Sequence, residues 1–332
     1  MIKKTLDVII PTYHPDEDFL LLIEGLSRQR LLPQRLIIIN TEESLMPEEI
    51  KKELSRFSEA DGSSLRGRIM IRHIKREEFD HAATRSLGAK SSASDAFLFM
   101  TDDAVPADEY LTEKLLEALY EKKGRSGETV AMAYARQLPR QGCSESEIFT
   151  RRFNYPEEGL VKTAADRERL GIKTYFASNV CCAYRRDIFE ELGGFCSTAI
   201  FNEDMIYAEK VIRNGYAICY EPEARVIHSH DYGPMALFHR NFDLGMSQAM
   251  NPEVFSGLRS EGEGLRLVIS CARHLISKGK ILKVPGLFVD SAFKYAGYRL
   301  GKAYKSLPPA AIRLCSSNRT YIDRMYGGNK KT

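Results

Sequence analysis

Two adjacent carboxylates follow a short apolar run in the first third of the chain. The run Phe97–Thr101 leads directly into Asp102 and Asp103, and Pro106 ends it. A short apolar run bounded by a breaker is typical of a buried strand in a sheet covered on both faces. Such a strand delivers both carboxylates to the edge where open α/β sheets bind ligands. A divalent cation that also binds phosphate oxygens would offset the charge of the two carboxylates. The alternative is that both aspartates cap a helix that starts near Asp108.

A second group of polar residues combines an imidazole and a guanidinium. Asp80 could cap a helix that runs to about Ser92, and Arg85 lies four residues after His81 on the same helix face. A phosphate or a base at the start of this helix would meet the helix dipole and both side chains. A solvated helix with an incidental histidine and arginine is the alternative.

A third group opens a predicted helix that runs to Arg213. Glu203 and Asp204 lie at its start, and acidic residues at a helix start interact favourably with the helix dipole, which gives them a capping role on the residues alone. Further along, two short strands finish in His228 and His230.

The elements that must position these residues alternate between strand and helix. The apolar patterns predict strands at Leu6–Ile10, Arg35–Asn40, Arg68–Ile74 and Phe97–Met100, and helices at Asp18–Gln29, Pro47–Phe57, Asp80–Ser92 and Asp108–Lys122. Alternation with short connections predicts a parallel sheet with right-handed crossovers, which binds a nucleotide at its carboxyl edge. No Gly-x-Gly-x-x-Gly or Walker-type loop follows any of these strands, which argues against a dinucleotide cofactor or an ATPase.

The second half of the sequence is less regular. We expect a strand at Thr129–Gln137, a polar irregular connection from Pro139 to Arg169, and one strand over Lys173–Tyr184. Two separate short strands, Ile218–Tyr220 and Ala224–His228, are expected around Pro222.

Charge divides the chain into an acidic body and a basic tail. Residues Leu265–Thr332 carry 14 Lys or Arg and two Asp or Glu, whereas the rest carries 34 basic and 43 acidic residues. Two amphipathic helices are predicted there, at Leu265–Ile276 and Phe288–Leu300, and Tyr295, Tyr298 and Tyr304 interleave with basic residues. This pattern fits an interfacial anchor on an anionic membrane, and a lid or an oligomer contact are the alternatives. No RNA-binding motif is present, so we expect no nucleic-acid partner.

Domain organisation and location follow from the same features. We expect a catalytic domain at residues 1–250 and a basic helical region at 251–332. Seven scattered cysteines without metal spacing indicate reduced thiols. The N-terminal apolar run is too short for a signal peptide and contains Asp7, and no apolar window is long enough to span a bilayer. We therefore expect a cytoplasmic protein, either free or peripheral on the inner face of the cell membrane.

The order of these motifs resembles the family-2 inverting glycosyltransferases of the GT-A fold. The shared features are a first strand running into Pro-Thr-Tyr, the aspartate pair, Gly-Gly-Phe, the Glu-Asp helix start and His-x-His. Within that family, Phe79–Arg85 and Thr101–Ala104 are similar to motifs of the bacterial rhamnosyltransferase branch. The resemblance covers about residues 5–245. The sequence departs from the family at Ala82 and Ala83, which replace glycines, at Ser86, which replaces an asparagine, and at Asn40–Glu43, which replaces an aspartate-rich turn.

The resemblance implies a nucleotide-diphospho-sugar transferase fold, a Rossmann-like α/β mixed sheet with a helical basic C-terminal extension. It implies that Asp103 binds Mn²⁺ or Mg²⁺, with His228 as a further contact and His230 as its competitor. It implies that Asp204, paired with Glu203, is the catalytic base. The nucleotide-sugar site would comprise Pro11, Thr12, Tyr13, Thr41, His81, Arg85 and Asp102.

The function that the resemblance implies is inverting transfer of L-rhamnose from dTDP-rhamnose to a glycan or lipid-linked acceptor in bacterial surface polysaccharide synthesis. Its partners would be the nucleotide-sugar donor, this acceptor, an anionic membrane surface and a second copy of the chain. The alternatives are another nucleotide-sugar donor of the same family, or a non-catalytic scaffold of a polysaccharide assembly complex.

Overall fold

The computed structural model describes residues 3–230, 232–256 and 261–327 of the 332-residue chain. Within these ranges, nine strands form one mixed sheet. Eight of them lie in the order β3-β2-β1-β4-β8-β6-β9-β5, and the ninth, β7, pairs with β9. The strands are β1 Leu6–Thr12, β2 Arg35–Thr41, β3 Ile69–Ile74, β4 Ala96–Met100, β5 Val105–Pro106, β6 Val130–Leu138, β7 Leu160–Lys162, β8 Cys181–Arg185 and β9 Ala217–Ile227.

The helices flank the sheet and form the C-terminal region. They are α1 Glu17–Ser27, α2 Glu48–Glu59, α3 His81–Ser91, α4 Leu111–Tyr120, α5 Glu145–Asn154, α6 Arg167–Leu170, α7 Arg186–Glu191, α8 Glu203–Arg213, α9 Pro234–Met250, α10 Pro252–Phe255, α11 Glu261–Ser277, α12 Val284–Lys302, α13 Pro309–Cys315 and α14 Arg319–Gly327.

The first half of the sheet is parallel and its second half is mixed. Strands β1 to β4 pair in parallel, and β8 runs antiparallel between β4 and β6. The predicted α/β fold with a mixed sheet is therefore confirmed. Because the carboxyl ends of parallel strands share one edge, the ends of β1, β2 and β4 lie side by side there.

Both faces of the sheet are buried, as the apolar strands predict. On β1, Val8 and Ile10 pack in a cluster with α1, α2 and α4, whereas Ile9 packs in a cluster with α3, α7 and α8. Helix α3 approaches β1 closely at Gly88, where an added Cβ would lie 2.3 Å from a methyl carbon of Ile9. This close contact fixes α3, and the residues at its start, against the sheet edge.

Three predicted elements differ from the structure. The connection after Pro139 contains α5, which Ser144 caps through the amide of Glu147 at 3.2 Å, and also β7 and α6. The strand expected over Lys173–Tyr184 exists only as Cys181–Arg185, because the residues before it turn away from the sheet. The two strands expected around Pro222 are one strand, β9, because a register shift against β6 between Ala135 and Arg136 accommodates the proline.

The C-terminal region is helical, as predicted, and α12 packs tightly on α9. An added Cβ would lie 2.3 Å from the Tyr298 carbonyl oxygen at Gly245, 2.2 Å from that of Phe238 at Gly297, and 2.1 Å from that of Phe242 at Gly301. The two helix backbones therefore touch at three places. A separate apolar cluster joins these helices to α13 and α14; its fully buried members include Phe242, Met246, Ile312 and Ile322.

The predicted domain boundaries, 1–250 and 251–332, remain predictions, and parts of them (residues 1–2, 257–260 and 328–332) lie outside the described residues. In the part of the chain that the structure describes, no helix is long and apolar enough to cross a membrane.

Candidate active site

The ends of β1 and β4 are tied together by Asp102. Its carboxylate accepts a 2.7 Å hydrogen bond from the Thr12 hydroxyl and a 3.3 Å bond from the Tyr13 amide. Burial, with the neighbouring charge of Asp103, raises the pKa of Asp102, although the Thr12 bond opposes this shift. The structure thus places the predicted segment from Pro11 to Tyr13 directly beside the aspartate pair.

Asp103 lies against both histidines that the sequence singled out. Its Oδ2 is 3.4 Å from His228 Nε2 and 3.1 Å from His230 Nε2. Burial alone would raise the pKa of Asp103, but the bonds and charges of the two histidines outweigh it and hold that pKa below its usual range. Both histidines therefore share one oxygen of the predicted metal ligand.

The donor set of this cluster suits a divalent transition metal. Potential ligand atoms of Asp103, His228 and His230 all lie within 4.8 Å of one another, and no other such cluster of three occurs in the ranges that the structure covers. Gln137 Oε1 accepts from His228 Nδ1 at 3.1 Å, which leaves Nε2 of that ring free to ligate. Two imidazoles beside one carboxylate fit Mn²⁺ better than Mg²⁺, which prefers an all-oxygen shell.

The carboxylates at the start of α8 have different environments. Glu203 forms a buried ion pair with Arg85 at 3.1 Å and accepts a 2.9 Å bond from the Asn179 side chain. Among the residues that the structure describes, Asp204 forms no ion pair and accepts hydrogen bonds only from backbone amides, those of Asn179 at 3.0 Å and Met205 at 2.8 Å. The pair therefore divides into a carboxylate neutralised by a cation and a carboxylate without one.

Their pKa values move in opposite directions for this reason. Burial, with the adjacent negative charge of Glu203, raises the pKa of Asp204. Burial would also raise the pKa of Glu203, but the charges of Arg85 and His81 together with the Asn179 hydrogen bond outweigh it and lower that pKa. Opposed shifts in neighbouring carboxylates are a frequent feature of acid–base sites, because they separate the group that exchanges a proton from the group that stays charged.

The predicted nucleotide residues of α3 lie at the same place. The Arg85 guanidinium is within 3.4 Å of His81 Nδ1, and its Nε is buried without a hydrogen-bond partner in the described chain. Burial lowers the pKa of His81, which favours the neutral imidazole. Arg85 is thus engaged by Glu203, and its predicted contact with the nucleotide remains a prediction.

Two neighbouring cavities are lined by most of these groups. One of about 570 Å³ is lined by Arg85, Glu203, Asp204, His228 and His230, and by Tyr155, Tyr232 and Arg240. The other, of about 500 Å³, is lined by Tyr13 and Thr41. His81 lines both, so Tyr13 and Thr41 open onto a space that adjoins the cavity of the predicted base, whereas Pro11, Thr12, Asp102 and Asp103 line neither of the two.

Sequence reasoning missed two supporting residues. Asn179 positions both acidic side chains, and the Tyr184 hydroxyl fixes it at 2.7 Å. Gln137 is buried and links His228 to Tyr155 and Arg151. The signal for Asn179 was the polar Ser-Asn pair inside an apolar run, whereas nothing local distinguished Gln137.

Two solved structures share this fold. The mannosyltransferase PcManGT from Pyrobaculum calidifontis, solved in complex with GDP-Man and Mn²⁺, superposes with a TM-score of 0.54 at 13% identity, covering 98% of this chain and 88% of that one. S. aureus TarS 1–349 in complex with UDP-GlcNAc gives a TM-score of 0.50 at 14% identity, covering 98% and 92%. At these identities the likeness concerns the fold, and it confirms the predicted GT-A architecture.

Sequence comparison identifies nearer relatives. The O-antigen chain rhamnosyltransferase RfbN of Salmonella typhimurium is 34% identical over 328 residues, 98% of each chain. The O-antigen chain rhamnosyltransferase WbaN of Salmonella anatum is 38% identical over 262 residues, 78% of this chain and 80% of that protein. The sequence model of Glycosyl transferase family 2 matches residues 7–193, more than half of the chain. On these matches, the chain belongs to glycosyltransferase family 2.

Proposed function

We propose that this enzyme transfers L-rhamnose from dTDP-rhamnose, with inversion, to a glycan or lipid-linked saccharide during synthesis of a bacterial surface polysaccharide. The observation that carries the proposal is the position of Asp204 in one cavity with His228 and His230. The choice of sugar is supported by two relatives that are O-antigen chain rhamnosyltransferases, one of which aligns over 98% of both chains.

Asp204 acts as the general base in this proposal. The acceptor oxygen attacks the anomeric carbon of the donor, the bond from that carbon to the diphosphate breaks, and the hydroxyl proton passes to Asp204. Because burial and Glu203 raise its pKa, the carboxylate binds a proton more readily than an exposed aspartate does. Its two backbone hydrogen bonds hold it in place without neutralising its charge.

A second group of residues in the same site would assist departure of the diphosphate. Asp103, His228 and His230 would hold a divalent ion, with Mn²⁺ favoured over Mg²⁺. Such an ion supplies Lewis-acid stabilisation of the charge on the leaving diphosphate. Asp102, fixed by Thr12, faces the ribose or phosphate, and Pro11, Tyr13, Thr41 and His81 complete the nucleotide site. A non-catalytic scaffold would need neither this donor set nor a buried base.

The test is a donor panel with purified full-length protein. Release of the nucleoside diphosphate is measured with dTDP-rhamnose, GDP-mannose and UDP-GlcNAc, each with and without Mn²⁺ and a saccharide acceptor. We expect acceptor-dependent release from dTDP-rhamnose alone. Release from another donor only would overturn the choice of sugar, and no release from any donor would favour the scaffold.

A membrane contact is a separate part of the proposal. The turn between α11 and α12 exposes Ile281 and Leu282, the latter 91% exposed, beside Lys278 and Lys283. Apolar side chains flanked by lysines suit an anionic lipid surface, where each cation contributes roughly 1 kcal/mol. The basic excess of the tail provides the matching charge.

Vesicle sedimentation tests this contact. The double variant Ile281→Ser, Leu282→Ser is expected to pellet less with phosphatidylserine vesicles than the parent protein. Leu314→Ser is the matched control, because Leu314 is also exposed, at 68%, but lies on α13. If the parent protein does not pellet at low salt, the membrane contact is refuted; a change of oligomeric mass in the double variant would then assign the face to a second copy of the chain.

A further inference from the structure

The cavity beside Tyr13 and Thr41 has two sides, and only one of them is formed by the edge of the sheet where the nucleotide is predicted to bind. Its inner side is lined by Tyr13, Thr41, Arg76, Phe79 and His81. Its outer side is lined by His239 of α9 and by residues 316–320, which lead from α13 into α14. The cavity thus lies between the sheet edge and the C-terminal helical region.

A buried polar group without a partner lies on the inner side of this cavity. Thr41 is 2% exposed, and its hydroxyl has no hydrogen-bond partner among the residues that the structure describes. Buried polar atoms are nearly always hydrogen-bonded, so this hydroxyl calls for a polar partner, and Thr41 lines the cavity in which a ligand would supply it. Beside it, Tyr13 is 43% exposed and offers an aromatic face, with the Arg76 guanidinium 5.8 Å from its ring centre.

The outer wall is held in place by specific contacts. Asp243, buried in α9, accepts a 3.0 Å bond from the Ser317 amide and a further bond from the Ser317 hydroxyl. Arg324 of α14 donates to the carbonyl oxygens of Phe79 at 2.8 Å and Glu77 at 3.3 Å. Because these contacts join α9, α14 and the loop before α3, the segment is part of a formed pocket.

The basic residues that line the cavity indicate which class of ligand it binds. Arg76 and Arg319 line the cavity, as do His81 and His239, and none of the described residues that line it is an aspartate or a glutamate. Within the described ranges Arg319 is exposed and has no hydrogen bond or ion pair, so its guanidinium is available to a ligand. Guanidinium groups bind phosphate oxygens in preference to neutral ligands, which points to a phosphorylated molecule.

We propose that residues 316–320 form the outer wall of the donor nucleotide pocket and that Arg319 is a further donor-binding residue. The ligand is a nucleoside diphosphate, with its base beside Tyr13 and Thr41 and its phosphates within reach of Arg319. This proposal rests on the proposed function, and it extends the donor site into a part of the chain beyond the matched family region at residues 7–193. Arg324 and Asp243 are positioning residues for this wall.

Calorimetric titration with dTDP and Mn²⁺ tests the role of Arg319 without requiring transfer. Arg319→Ala is expected to weaken dTDP binding about tenfold, as expected for one lost hydrogen bond to a charged group. Arg319→Lys keeps the charge and is expected to recover part of the affinity. Arg313→Ala is the matched control, because Arg313 is an exposed arginine of the same region that pairs with Asp323 at 2.6 Å, away from the cavity.

The outcomes separate the two proposals. If the parent protein binds none of dTDP, UDP and GDP, the proposed function fails. If the parent protein binds dTDP and both the Arg319→Ala and Arg313→Ala variants bind dTDP as tightly as the parent does, the donor-binding role of residues 316–320 is refuted. The proposed function then stands.

Hydrogen exchange provides a second test, because a segment with a purely structural role would show the same exchange rates with and without dTDP. Addition of dTDP is expected to slow exchange of the amides at 316–322 and to leave the exposed turn at Ile281 unchanged. Arg324→Ala should weaken dTDP binding and reduce this protection, with Arg324→Lys recovering part of it. Unchanged exchange at 316–322 in saturating dTDP would overturn the inference.

Discussion

Neutralising Asp204 provides the most direct test of the proposed mechanism. In Asp204→Asn, one side-chain oxygen is replaced by an NH₂ group, so only one of the two amides that bond Asp204 keeps its acceptor. That loss costs roughly 1 kcal/mol, and relief of the repulsion from Glu203 offsets part of it. We therefore expect a folded variant with little change in melting temperature.

Its turnover is expected to fall much further. General base catalysis contributes about 10²–10⁴-fold, which is about 2.7–5.4 kcal/mol of the activation barrier. Donor affinity should stay nearly constant, because in the proposed mechanism Asp204 contacts the acceptor rather than the diphosphate. The assay is steady-state transfer at saturating donor, together with calorimetric binding of dTDP.

Glu203→Gln is the informative comparison. Helix geometry alone, which places neighbouring side chains about 100° apart, predicts a mild effect. The ion pair with Arg85 adds a cost, because both side chains are less than a tenth exposed and breaking such a pair costs about 3–5 kcal/mol. We expect a large loss of stability in Glu203→Gln and a large loss of turnover in Asp204→Asn. If Asp204→Asn keeps full turnover, Asp204 is not the base.

Three further perturbations test other parts of the site and fold. Asp103→Ala should abolish transfer while leaving the melting temperature almost unchanged, and equal turnover in chelator and in Mn²⁺ would refute the metal role. Because the base must be ionised and its pKa is raised, turnover at saturating Mn²⁺ should fall with decreasing pH at a higher pH than it would for an exposed aspartate. Glu203→Gln, assayed at a temperature at which it stays folded, removes the neighbouring negative charge and should shift this fall in turnover to lower pH; an unshifted pH profile would assign the fall to another group. Gly301→Ala should destabilise the fold by about 1–3 kcal/mol, because the new Cβ would meet the Phe242 carbonyl, whereas Gly286→Ala in the same helix has open space and should be slightly stabilising; equal melting temperatures would contradict the close packing.

The parallel half of the sheet was predictable because its signals are local. Apolar runs such as Arg35–Asn40, each followed by polar or helix-breaking residues, specify buried strands and place the aspartate pair at the sheet edge. The histidines could be identified as candidates from the family resemblance, but sequence alone could not choose between them. The structure brings both to Asp103, because β5, which follows Asp103 closely, pairs with the end of β9, which His228 and His230 follow closely.

The supporting residues could not be predicted in the same way. Asn179 lies in a run that has the composition of a strand, and only the tertiary contact with α8 explains why the backbone leaves the sheet there. The partner of Arg85 is 118 positions away in the sequence, and no local pattern encodes such a pairing. The contribution of residues 316–320 depends on how α13 and α14 fold back, which is equally non-local.

The glycine contacts between α9 and α12 have a mechanical consequence for the site. With no side chains between the backbones at three places, the two helices cannot slide past one another without a steric clash. Helix α9 also contributes Arg240, Leu244 and Gln248 to the larger cavity. A ligand that displaced α12 would therefore displace part of the cavity lining and change the affinity for a molecule bound in that cavity. By thermodynamic linkage, the molecule in the cavity would change the affinity for the ligand at α12 by the same factor.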